Sequence, residues 1–183
     1  MALYLGNKQL GEVYLGSKQV AEMYLGADLI YANTAEIYKN GQLGRGVTLS
    51  GAIEQRTDDL YLAATMSIQS QGRDVSKTGF ILLDMTKLNT ITVKGQSWCN
   101  GYSGSTYTQR LGIDGTTGAQ SVELPKGFND LWDLGIRADF EETFDVSALT
   151  GQHYIGAYVR AKNASSYYQA CTYIRITEIT GGR

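Results

Sequence analysis

The 183-residue sequence predicts an all-β protein: an N-terminal arm of short β-repeats, a meander or small solenoid, followed by a jelly-roll-like β-sandwich. Three observations carry that expectation. One phrase recurs at a spacing of ten through the first thirty residues, and apolar and polar residues then alternate with period two. The composition of 22 Gly and 13 Tyr against one Pro suits many turns and half-buried strand faces.

The repeat comes first. Leu3-Tyr4-Leu5-Gly6-Asn7-Lys8-Gln9-Leu10 is followed by Val13-Tyr14-Leu15-Gly16-Ser17-Lys18-Gln19-Val20 and Met23-Tyr24-Leu25-Gly26-Ala27-Asp28-Leu29-Ile30. A weaker echo stands at Ile37-Tyr38-Lys39-Asn40-Gly41. This period is too short for a helix pair and suits one strand plus a tight turn, with Gly supplying the unusual backbone angles. Because ten is even, every copy presents the same residue types on the same face. Such a strip buries too little apolar surface to offset an ordering entropy of about 1–2 kcal/mol per residue. One face must therefore pack on the rest of the chain, on copies of itself or on another protein. Val13, Tyr14, Leu15, Met23, Tyr24 and Leu25 are the candidate partner or oligomer contacts.

The arm is expected over residues 1–40, a glycine-rich linker over 41–46 (Gly41, Gly44, Gly46) and the sandwich over 47–183. Strands are expected over residues 59–70, 77–83, 90–98, 107–113, 120–124, 133–139, 141–146, 153–161 and 170–178. Leu83–Leu88 could form one helical turn. Asp114-Gly115-Thr116-Thr117-Gly118 is a strong turn signal.

The chemistry-bearing residues are few. A net charge of −2 gives no drive towards nucleic acid or anionic membrane. No apolar run approaches the roughly 18–20 residues that span a bilayer, so no membrane insertion is expected. Met1 leads into the repeat without a basic or apolar leader, so no signal peptide is expected and synthesis is placed in the cytoplasm. There Cys99 and Cys171 are expected as free thiols, although juxtaposition in the fold would let them pair. Neither belongs to a CxxC or neighbours His153, the one histidine, so no zinc site is expected. Calcium at Asp114 has one carboxylate to hold it, and no metal or cofactor is expected overall. His153 lacks a nucleophile context, and the adjacent pairs Asp58-Asp59 and Glu141-Glu142 would point to opposite strand faces, so no enzyme is expected. The better binding candidate is aromatic: Trp98, Tyr102 and Tyr107 in a polar, glycine-rich stretch, with Tyr167 and Tyr168 in another loop. Flat amphipathic rings beside Asn, Gln and Ser suit a glycan or protein contact, and they equally suit filling the sandwich core.

The decapeptide phrase, clearest in Val13-Tyr14-Leu15-Gly16-Ser17-Lys18-Gln19-Val20, resembles repeats that open tailed-bacteriophage virion proteins of tail, fibre or head-decoration type. Phe144-Asp145-Val146-Ser147-Ala148-Leu149-Thr150-Gly151-Gln152-His153-Tyr154-Ile155-Gly156, with the closing Tyr173 to Ile179, looks like the final strands of a β-sandwich often placed after such repeats. The resemblance implies a structural subunit of a virion, assembled with other virion proteins. Its N-terminal repeats would anchor it, its sandwich would face outwards, and the chain would form homotrimers. A carbohydrate-binding module recognising a bacterial surface glycan is the alternative.

Overall fold

The computed structural model describes residues 34–66, 73–101, 104–129, 136–164 and 170–183, without the side chains of residues 128–129, and before residue 34 only the backbone of short strands. Three hairpins lie in the repeats. Strand β1 (Tyr4–Leu5) pairs with β2 (Lys8–Gln9), β3 (Tyr14–Leu15) with β4 (Lys18–Gln19), and β5 (Glu22–Leu25) with β6 (Asp28–Ala32). The partners Leu5↔Lys8, Leu15↔Lys18 and Leu25↔Asp28 leave two residues at each tip. Each period of ten is therefore a hairpin, not the single strand plus turn its length suggested. The stretch from Lys8 to Leu15 supplies strands to two successive hairpins.

The sandwich begins earlier than the glycines implied. Strand β7 (Thr34–Lys39) pairs along the end of β19 (Ala170–Gly182), and its Ile37 and Tyr38 are buried in the core. Strand β8 (Gln42–Leu43) folds back on β7 through Asn40-Gly41, both at positive φ (50° and 80°) as a two-residue primed turn requires. Residues 34–46 thus belong to the sandwich rather than to an arm and a linker. A Cβ on Gly41 would sit 1.8 Å from the Thr57 carbonyl oxygen, so this turn also needs glycine for space.

Two sheets follow. The larger contains β7, β8, β10 (Glu54–Gln55), β11 (Leu60–Met66), β13 (Thr90–Gly101), β16 (Gly127–Asn129), β17 (Ala138–Asp145) and β19. Its centre is the antiparallel pair β13–β19, joined from Thr90↔Gly182 to Gly101↔Ala170. The free edge of β19 is shared by β11 and β7; that of β13 is shared by β17 and by β16, the one parallel partner among the described strands. The smaller sheet runs β15 (Ser121–Glu123), β14 (Thr106–Ile113), β18 (Gln152–Lys162), β12 (Asp74–Asp84) and β9 (Thr48–Gly51). The all-β sandwich is the predicted one. Phe140, left between the expected strands 133–139 and 141–146, is in the interior of β17, and residues 85–88 form a turn (Leu88 N–H to Met85 O, 3.0 Å) instead of a helical one.

Alternation explains the core. Ile91 and Val93 of β13, Ile174, Ile176 and Ile179 of β19, and Leu60 and Leu62 of β11 meet Ile81, Leu111, Ile155 and Val159 of the facing sheet. The same alternation separates the cysteines. Cys99 is opposite Thr172 and Asn100 opposite Cys171, so the two thiols lie on opposite faces of one sheet and both are free. Burial pushes the Cys99 thiol up to about 11, as expected of a small inert core residue.

One irregularity shapes the sheet. The β13–β19 register shifts at Lys94/Gly95, where Thr177 is the extra residue. A Cβ at Gly95 would stand 2.0 Å from the Arg175 carbonyl oxygen and 2.8 Å from Phe140 Cζ. Gly95→Ala should therefore separate the central strands and destabilise the protein by about 1–3 kcal/mol, the usual cost of overpacking. A thermal melt would read this as a clear fall in Tm, and an unchanged Tm would contradict the account of the bulge.

Candidate functional site: the outer face of the larger sheet

The site follows from parity. Since Ile91 and Val93 point inwards, Thr92, Lys94, Gln96, Trp98 and Asn100 point outwards from β13. On β19 the outward residues include Tyr173 and Arg175, and on β11 they include Tyr61. Trp98 is directly opposite Tyr173, and Arg175 is opposite both Gln96 and Tyr61.

These positions assemble an aromatic row across three strands. Trp98 and Tyr173 stack with centroids 4.9 Å apart and planes 17° from parallel; Tyr61 lies 5.9 Å from Tyr173 and 6.3 Å from Trp98. Guanidinium groups close the ends: Arg56 lies 3.3 Å above the Tyr61 ring and Arg137 4.7 Å from the Trp98 centroid. Each ring pair is worth about 0.5–1.5 kcal/mol beyond its burial, and each exposed cation–π contact about 0.5–1 kcal/mol. Burial pushes the Tyr61 and Tyr173 phenols upwards, so both keep their hydroxyl protons. With Tyr173 on one face of the indole and Arg137 near the ring, a sugar could not simply lie flat on Trp98. The ring edges and the space beside them are what the row offers.

On the same face, beginning two residues along β13 and β19 from Trp98 and Tyr173, is a groove of about 550 Å³ lined by Lys94, Gln96, Asp139, Glu141, Arg175 and Thr177, with Gly95 and Phe140 beneath. Its polar groups are held in a ladder. Gln96 Nε2 donates to Asp139 Oδ1 (2.9 Å), Lys94 Nζ lies 3.2 Å from Glu141, and Arg175 Nε donates to Asp59 Oδ2 (2.6 Å). Asp59 is 8% exposed, so a buried carboxylate fixes the guanidinium while the Arg175 side chain remains 29% exposed. From inside the sandwich, the fully buried Gln109 of β14 donates its amide to the main-chain oxygens of Trp98 (2.7 Å) and Tyr173 (3.3 Å), which ties the facing sheet to the row.

The candidate residues divide. Trp98 stands half-buried on this outer face. Tyr107 is in the interior, packed with Met66, Cys99, Ala161 and Ala170, and its hydroxyl donates to the Asn100 carbonyl (3.2 Å); burial raises it to about 12. It is a core residue and no glycan contact. Tyr102, Tyr167, Tyr168 and Val13 lie outside the described residues, as do the side chains of Tyr14, Leu15, Met23, Tyr24 and Leu25. Reasoning from the sequence missed Tyr61, Tyr173, Arg56, Arg137, Gln96, Asp139 and Arg175. Parity places Tyr61 outside, between the inward-facing Leu60 and Leu62, but joining it and Tyr173 to Trp98 needs the register between strands.

The other chemistry-bearing residues are engaged. His153 Nδ1 lies 2.7 Å from Asp114 Oδ2 and its Nε2 donates to the Thr150 carbonyl (3.1 Å), while Asp114 Oδ1 accepts from the Tyr154 N–H (3.3 Å). Both imidazole nitrogens face acceptors, which favours the doubly protonated ring and leaves no free nitrogen for general-base work. Asp114, at φ 53°, spends its carboxylate on this turn. Asp59 points to Arg175, and Glu141 and Glu142 lie on opposite faces of β17, so neither carboxylate pair converges.

No protein-family model matches the chain, and no curated protein matches it. Among solved structures, the carbohydrate recognition domain of Emp46p, in its potassium-bound form, superposes with a TM-score of 0.37 at 10% identity, covering 74% of this chain and 88% of that one. A likeness that shallow carries no argument about ligand.

The hydrogen bond to Asp114 and the Thr150 carbonyl raise the His153 pKa above its ordinary value. A raised folded pKa contributes stability that is complete below the unfolded value of about 6.5 and lost as pH rises through the folded value. Melts between about pH 5.5 and 8.5 should therefore show Tm falling on the alkaline side, and Asp114→Asn should flatten that limb. A wild-type limb as flat as the variant's would contradict the assignment.

Proposed function

We propose that the sandwich is a glycan-binding domain of an attachment subunit, with the groove beside Trp98, Gln96, Asp139 and Arg175 as the binding face. The carrying observation is the composition of that groove. Donors (Gln96, Lys94, Arg175) and acceptors (Asp139, Glu141, Thr177) alternate over a small area next to three clustered rings. A polyhydroxylated ring needs both kinds of partner, since each sugar hydroxyl donates and accepts, and the neighbouring aromatic row offers apolar surface on the same face. Fixed side chains lower the ordering cost of binding, and here Asp59, Glu141 and Gln109 supply the fixing. Two carboxylates against two cations at the groove favour a neutral glycan over a strongly anionic one. The engaged His153 and the divergent carboxylate pairs support binding without catalysis.

A second reading rests on the hairpins. Isolated two-stranded hairpins are marginal in water, and three in succession with equivalent registers suit an arm completed by another protein surface. With the phage-type phrase they carry, this supports a virion subunit that docks by residues 1–33 and displays the sandwich, with strand pairing giving affinity and side-chain pockets giving register.

On an array of bacterial surface glycans the intact chain should be retained. Gln96→Ala and Asp139→Ala, both outward-facing, should each cut retention about tenfold at unchanged Tm. Trp98→Ala should abolish retention while the chain still melts cooperatively. A blank array for the intact chain sinks the glycan reading. Deletion of residues 1–32 should leave a folded sandwich that no longer incorporates into particles; retained incorporation sinks the docking role.

A further inference from the structure

A second cavity, of about 310 Å³, lies where the arm joins the sandwich. Ala35 and Glu36 of β7 line it, three and four residues past the end of the last hairpin at Ala32. Its floor is apolar: Ile37, Leu83 and Leu88 are buried beneath it and Val47 closes one side. Three cations, Arg45, Lys87 and Arg183, also line it, and none makes an ion pair among the described residues. Two carboxylates line it as well: Asp84 keeps its negative charge near Lys87, and Glu36 is paired with a cation outside the cavity. Asp84 accepts from the N–H (2.9 Å) and hydroxyl (2.6 Å) of Thr86, and Glu36 pairs with Lys39 at 3.3 Å. The cavity thus offers an apolar seat with more cations than carboxylates, three against two, and that excess matches a carboxylate carried beside an apolar side chain.

The chain holds that chemistry in the arm. Glu12-Val13-Tyr14-Leu15 and Glu22-Met23-Tyr24-Leu25 each place a carboxylate next to aliphatic and aromatic residues, and each leads into a two-residue hairpin tip. We propose that the arm of a second copy of this chain occupies this cavity, with Glu12 or Glu22 set against Arg45, Lys87 and Arg183 and the adjacent apolar side chain on the Ile37–Leu83–Leu88 floor. The location favours a second copy over an unrelated partner, since an arm exchanged between copies meets its receptor beside the root of the other arm. Exchange of identical elements between protomers is a low-cost route to association between copies. The inference rests on the reading of residues 1–33 as a docking arm and names the surface the arm uses.

Sedimentation equilibrium of the full chain over a range of concentrations tests it. The wild type should associate. Arg45→Glu with Lys87→Glu, at two exposed positions where folding is spared, should weaken association at least about tenfold, and so should Glu12→Lys with Glu22→Lys. The four changes together should restore it, because the charges are then exchanged. A wild type that stays monomeric overturns the proposal, as does an association that the cavity changes leave intact or that the combined variant fails to recover. If deletion of residues 1–32 still abolishes association when the cavity changes do not, the arm reading stands and only this receptor surface falls.

Discussion

The structure depends on the antiparallel pairing of β13 with β19. Every other strand of the larger sheet is attached to one of these two or to a strand that is, and their inward residues are the middle of the core. The pairing also sets what faces solvent. Because side chains alternate, the register that buries Ile91, Val93, Ile174 and Ile176 obliges Trp98, Gln96, Tyr173 and Arg175 to stand outside, opposite one another. A slip of one residue would exchange the two sets. Core and binding face are therefore one constraint seen from two sides.

The bulge beside Gly95 adds the space. One extra residue in β19 changes the register next to Lys94, and the missing side chain at Gly95 lets the Arg175 carbonyl and the Phe140 ring approach the strand. The groove lies over that point, lined by Lys94, Gln96, Asp139, Glu141, Arg175 and Thr177 on the same face as the aromatic row. Its polar groups are anchored from behind by a buried aspartate and, through the strands, by a buried glutamine from the facing sheet. The groove is held by packed parts of the fold and not by loops alone.

Much of this was legible in the sequence. Period-two alternation located β11, β13, β14, β18 and β19 within a few residues, and the continuous apolar run Phe80-Ile81-Leu82-Leu83 located β12. Strand β17 was split at Phe140, whose place in the interior of one strand comes from its pairing with Gly95 of β13 and not from any local signal. The boundary was misplaced because Gly41, Gly44 and Gly46 read as a linker, although Lys39-Asn40-Gly41-Gln42 is a hairpin turn and Tyr38 before it is fully buried. Trp98 was found by its composition. Its partners could not be, because Tyr61 and Tyr173 lie 37 and 75 positions away and only the register between strands brings them to it. Tyr107 was left between a glycan contact and a core residue, and its parity in β14 places it inside.

The central claim is that the outer face of β13 and β19 is a ligand face and more than strand packing. Solution NMR of the full chain, titrated with oligosaccharides released from bacterial surface polysaccharide by mild acid, tests it most directly. The account predicts saturable shifts of the Trp98 indole N–H, the Gln96 side-chain amide and the main-chain amides of Tyr173 and Arg175, with the core amides unmoved. Shifts confined to other surfaces, or none at any concentration, would contradict it.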